Sequence, residues 1–160
     1  MTEKTLEIKY REYASAEELE AADRELLDAA KAALAGSYAP YSNFNVGAAV
    51  RLGNDLIIKG ANQENSAYPS GLCAERTAIF FANSQYPECK VSALAISAFF
   101  QGQIVSSPIT PCGSCRQVLL ETENRQKSPI KLILAGKDKC YIISSIKDIL
   151  PLNFDNSFFE

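Results

Sequence analysis

Residues 91–100, VSALAISAFF, pass ten positions without a charge. A run of that length is too short to span a bilayer and reads as a strand buried on both faces. Such a strand needs cover above and below, so the rest of the chain must supply layers. Residues 15–35 predict a helix: Ser15 and Glu18 fit a capping box, Leu19, Leu26, Ala30, Ala33 and Leu34 fall roughly on one face, and Gly36 suits the stop. VGAAVRL (46–52) and LIIKGAN (56–62) predict two strands joined through Gly53-Asn54-Asp55, a hairpin signal. Helices are expected from about Cys73 to Ser84 and over TPCGSCRQVLLETEN (110–124), with Pro111 near the start of the second. IKLILAG (130–136) and CYIIS (140–144) read as further strands, and 145–150 as a short helix.

The order α-β-β-α-β-α-β-β-α predicts an α/β fold of three layers, α/β/α, around a mixed, roughly five-stranded sheet. The 160 residues suit one domain, expected over 15–160, with 1–14 an N-terminal extension that is either an extra edge strand or a loose arm. The charged N-terminus lacks the apolar stretch of a signal peptide, and no run reaches transmembrane length, so a soluble cytoplasmic protein is expected. Lys and Arg number 16 against 19 Asp and Glu, a net charge of −3 with no basic stripe. That argues against a nucleic-acid partner.

The chain has no histidine. This excludes a Ser-His-Asp triad, a Cys-His pair and any His-ligated zinc. Acid–base work must fall to Glu, Asp, Lys, Tyr or Cys. The five cysteines, an odd count in a reducing compartment, are expected to be core residues, ligands or nucleophiles rather than disulfides. Cys112 and Cys115, in PCGSC, form a C-x-x-C that alone fits a zinc half-site, a redox pair or simple packing. Cys73, in CAE, is a third thiol at another helix start, where the dipole favours a thiolate. Two such helices meeting end-on would gather three thiolates and leave the fourth tetrahedral position of zinc open for water.

Cys89 and Cys140 lack paired spacing and are expected to pack as small apolar or surface residues. Glu75, two positions after Cys73, either complements the helix dipole or moves protons beside a zinc-activated water. Arg76 and Arg116 follow the two motifs directly. They are either solvated or placed to draw off the charge of three thiolates.

CAE followed by PCGSC resembles the zinc deaminase signature, with Cys in place of His as first ligand. Four stretches together resemble cytidine deaminases of the small homotetrameric type: YAPYSNFNVGAAV (38–50), GANQENSAYPSGLCAERTAIF (60–80), PCGSCRQVLLE (111–121) and ILPLNF (149–154). The resemblance covers roughly residues 17–156. It implies one zinc per subunit on Cys73, Cys112 and Cys115, with Glu75 as proton shuttle.

It further implies substrate contacts from Phe44, Asn62, Glu64, Tyr68, Ala74 and Phe154. Asn62 and Glu64 would grip the ribose 3′-hydroxyl. Tyr68 and Phe154 match residues that act near subunit interfaces of a homotetramer. The implied reaction is hydrolytic deamination of cytidine and 2′-deoxycytidine in pyrimidine salvage. The rival readings are deamination of another amino-heterocycle and a non-catalytic zinc module. Pro69 stands where the family commonly has Gly, which bears on the loop path and not on the ligands.

Overall fold

In the computed structural model, which describes residues 1–159, the apolar run becomes strand β4 (Val91–Phe100), and a seven-stranded sheet is built around it. The other strands are β1 (Arg11–Tyr13), β2 (Asn45–Leu52), β3 (Ile57–Ala61), β5 (Gln103–Ile104), β6 (Lys131–Ala135) and β7 (Cys140–Ile143). The sheet runs β1-β7-β6-β4-β2-β3, with β5 paired to the end of β4. Five of these strands are those the sequence predicts. The two short additions are β1, which pairs with β7, and β5, which forms a hairpin with β4 across Gln101 and Gly102, both at positive φ. Of the strand pairs, β4–β6 is parallel and the others are antiparallel, so the sheet is mixed.

Period-two alternation sorts the strands onto two faces. Ala48, Val50, Leu52, Leu94, Ile96, Leu132 and Leu134 face helices α2 (Ala74–Gln85) and α3 (Gly113–Gln126) in one core. Ala49, Ala93, Ala95, Ile133 and Ala135 face helix α1 (Ala21–Ala33) in the other. The three-layer expectation holds. The parallel β4–β6 pair requires a crossover, and α3 is that crossover.

The N-terminal helix differs from its prediction. Residues Ala16–Glu18 form a single 3-10 turn, Leu19 is extended, and α1 starts only at Ala21, with Glu20 as its N-cap. The Ser15 side chain makes no cap hydrogen bond, and Glu18 Oε2 accepts at 3.3 Å from the amide of Ala14, one residue before the cap, so the predicted box does not form. The break lets Leu19 turn into the α1-side core, where it is buried. Pro111 also lies outside its helix, since Cys112 is the N-cap and α3 begins at Gly113. No helix among the described residues is long and apolar enough to cross a membrane.

One glycine sets the seat of α2. A Cβ on Gly60 of β3 would stand 2.5 Å from the Ala78 amide nitrogen and 2.6 Å from the Ala74 carbonyl oxygen. Only the bare backbone lets the first turns of α2 lie this close to the sheet.

Candidate metal centre and substrate cleft

The N-termini of α2 and α3 meet. Cys73 is the N-cap of α2 and Cys112 that of α3, and neither side chain is spent on capping. Cys115 sits on the first turn of α3. The three sulfurs lie within 4.8 Å of one another, and Cys73 Sγ is 3.7 Å from Cys112 Sγ. A tetrahedral zinc with Zn–S bonds of about 2.3 Å spaces its sulfurs about 3.8 Å apart, so the donor set and its spacing fit that ion. Cys115 is buried, Cys73 half-buried and Cys112 exposed, which leaves the group open on one side. Cys89 packs at the edge of one core and Cys140 is buried in β7 against the other, and neither joins the group.

The thiols share their protons unequally. Cys73 is pulled down to about 5, first by its hydrogen bond with Cys115 and then by Arg76, against the opposing effect of burial. Cys115 is pushed up by the same contact with Cys73 and by burial. Arg76 Nη2 lies 3.8 Å from Cys73 Sγ and donates to the Gly71 carbonyl at 3.5 Å, while its Nε is buried with no hydrogen-bond partner. Arg116 lies elsewhere. Its guanidinium donates to the Pro111 carbonyl (2.8 Å), the Ile149 carbonyl (2.8 Å) and Thr110 Oγ1 (2.9 Å), and so fixes the segment that delivers Cys112. Among the described residues it makes no hydrogen bond to a sulfur.

Beside the sulfurs opens a cleft of about 610 Å³. Glu75 lines it although only 5% of its surface is exposed. Burial, and then the charge of Cys73, raise its carboxyl above the ordinary range. Asn62 and Glu64 line the same cleft. Asn62 Oδ1 accepts from Ser37 Oγ (2.5 Å) and the Val46 amide (2.8 Å), and its Nδ2 donates to the Phe44 carbonyl (2.9 Å). Glu64 accepts from Ser42 Oγ (2.5 Å) and from the amides of Tyr41 (2.9 Å) and Ser42 (3.3 Å). Both side chains are thus fixed by the 37–46 loop, and each keeps one unused polar position: a second amide hydrogen on Asn62 and a lone pair on Glu64.

The remaining candidates are spread out. Tyr68 lines the rim, 81% exposed, with its ring edge-on to Tyr41 at 6.4 Å. Ala74 is buried as the first residue of α2 and does not line the cleft. Phe44 does not line it either. Its ring packs on Phe100 at 5.5 Å, because the residue begins the turn into β2 with its carbonyl, not its ring, held by Asn62. Phe154 stands off in an exposed aromatic group with Phe158 and Phe159. Tyr41 and Thr110 line the cleft as well. In the sequence Tyr41 stands within YAPYSNFNVGAAV, where no spacing singles it out from its neighbours.

The family model described as "Cytidine and deoxycytidylate deaminase zinc-binding region" matches residues 20–128. Two curated relatives named cytidine deaminase, from Halalkalibacterium halodurans and Sporosarcina psychrophila, are 44% identical over 86 residues and 45% identical over 96. These stretches cover 54% and 60% of this chain and 61% and 66% of the relatives, so the chain spans less than two thirds of their length. The crystal structure of cytidine deaminase from Burkholderia pseudomallei superposes with a TM-score of 0.67 at 38% identity. That match covers 81% of this chain and 97% of the other.

Proposed function

Because the chain belongs to the cytidine and deoxycytidylate deaminase family, we propose that it hydrolyses the exocyclic amino group of cytidine and 2′-deoxycytidine. The products are uridine or 2′-deoxyuridine and ammonia. One observation carries this reading: a buried carboxyl, Glu75, lines the same cleft as two thiols of the zinc-suited group and a preorganised Asn62–Glu64 pair.

Cys73, Cys112 and Cys115 would hold zinc, which supplies the Lewis-acid chemistry that makes water a nucleophile at neutral pH. Everything else falls to the chain. Glu75, with its proton affinity raised by burial, takes one proton from the attacking water and gives it to ring N3. The water's second proton passes by the same carboxylate to the amino nitrogen as the C4–N bond breaks, so ammonia leaves neutral. The Thr110 carbonyl accepts from the departing amino group. Arg116, bound to Thr110 Oγ1 and to the Pro111 carbonyl, keeps that segment still.

Glu64 accepts from the 3′-hydroxyl and Asn62 donates to it, each through its one unused position. A polynucleotide carries a phosphate there, which favours free nucleosides. Tyr68 closes the rim over the sugar. Ala74 contributes through its backbone at the start of α2, and Phe44 through the loop it shares with Asn62. Phe154, exposed and away from its own cleft, would reach the site of a neighbouring subunit. The exposed rings of Phe80, Phe81, Phe158 and Phe159 also support a homotetramer with sites at subunit interfaces. A cytoplasmic place in pyrimidine salvage agrees with five free cysteines and a nucleoside substrate.

The test is loss of the cytidine absorbance, with ammonia assayed in parallel, with and without a zinc chelator and across a panel of amino-heterocycles. Zinc-loaded protein that releases no ammonia from cytidine would overturn the reading.

A further inference from the structure

The segment before β1 has a strand pattern and, among the described residues, no strand to pair with. In LEIKYRE (6–12) apolar and charged residues alternate. Leu6, Ile8 and Tyr10 are 62%, 53% and 52% exposed. The register Arg11↔Ile142, Glu12↔Tyr141, Tyr13↔Cys140 runs upstream off the end of β7, which stops at Ile143 before Ser145 caps a 3-10 turn. Tyr10 still rests on Tyr141, ring centroids 5.0 Å apart, so the arm leaves the sheet in a set direction. The family match begins at residue 20 and does not include the arm. An extended apolar face of this kind is a template for another strand.

We infer that residues 4–12 of two copies of this chain pair as antiparallel strands with a two-fold axis at Ile8. The sequence is self-complementary about that residue and in no neighbouring register. Ile8 faces Ile8, Leu6 faces Tyr10, Glu7 faces Lys9 and Lys4 faces Glu12, each heteropair occurring twice. Moving the axis one residue either way sets Glu7 against Glu7 or Lys9 against Lys9, so charge fixes the register. On one face Leu6, Ile8 and Tyr10 of both copies form a continuous apolar strip, which Lys4 and Glu12 close at each end. A two-stranded ribbon is marginal by itself. Here each strand is continuous with a β1 already anchored on β7, so the ribbon joins two sheets edge to edge.

The test uses full-length, zinc-loaded protein carrying Ile8→Cys or Thr5→Cys, lightly oxidised and run on non-reducing gels beside the unsubstituted chain. Position 8 opposes its own twin within disulfide reach. Position 5 opposes Arg11 and lies about 20 Å from its twin. Ile8→Cys is expected to give a covalent dimer, and Thr5→Cys is not. Adding Lys9→Glu to Ile8→Cys should cut the dimer several-fold, and adding Glu7→Lys as well should restore it. Equal cross-linking at both positions, none at position 8, or no restoration by the charge exchange overturns the inference. Deaminase activity enters none of these readouts.

Discussion

Gly60 of β3 lies so close under α2 that a Cβ there would stand 2.6 Å from the carbonyl oxygen of Ala74. Ala74 is the link between Cys73 and Glu75, so this contact sets the height of both above the sheet. Gly60→Ala must push the first turn of α2 outward. We expect a loss of about 1–3 kcal/mol in urea unfolding, typical of overpacking. We also expect a fall in zinc affinity in competition with a chromogenic chelator. Unchanged zinc affinity in a destabilised variant would show that the contact does not position Cys73.

Glu75 is the only buried carboxylate on the cleft among the described residues. Glu75→Gln keeps the shape and removes the titratable carboxyl that takes and gives the proton. Turnover should fall roughly 100- to 10,000-fold, the usual worth of a positioned acid–base group. Zinc content by mass spectrometry should stay at one per chain.

Three thiols at α2 and α3 suffice for the metal if the fourth position belongs to water. Cys89→Ser and Cys140→Ala should each retain zinc and turnover, whereas Cys112→Ala should lose both. Chelation should abolish activity and added zinc should restore it. Loss of metal from either of the first two variants would mark a closed, structural site.

Glu64 provides a pH test. Ser42 Oγ, and then the Tyr41 amide, hold its carboxyl below the ordinary value. A lowered folded pKa means that the contact stabilises the 41–42 loop above the ordinary carboxylate range and is lost as acid protonates Glu64 below it. Carboxyl carbon chemical shifts should give a midpoint below that of an unperturbed glutamate. Ser42→Ala should move that midpoint upward.

Arg116 reaches three oxygens on two separate segments. Arg116→Lys keeps the charge but not the fork. It should lower the thermal midpoint through roughly 1.5–3 kcal/mol of lost charged hydrogen bonding. It should also loosen the Thr110–Cys112 segment, seen as faster amide exchange there.

The sequence showed the layers and the ligands for the same reason: both depend on short-range pattern. The apolar run 91–100, the paired helix starts and the Cys spacing are local signals, and the structure places all three where local chemistry sends them. Legibility failed where a distant partner decides. Leu19 breaks the predicted helix because the core between α1 and the sheet takes its side chain. The place of Arg116 after Cys115 leaves it either solvated or beside the thiols, and neither reading contains Ile149, 33 positions on, whose carbonyl it binds. Phe44 turns away to Phe100, a pairing that no window around either residue contains.

The central strand also orders events in time. Cys73 precedes β4, while Cys112 and Cys115 follow it on the helix that carries the chain over to β6. A nascent chain can therefore lay down the β2–β3 hairpin and α2 with one thiol waiting, and still have nothing that retains metal. The three sulfurs come within 4.8 Å of one another only where the crossover helix meets α2. The group of three is then a stamp of the α2–α3 encounter: a chain halted before residue 112 carries one of its thiols and lacks the other two.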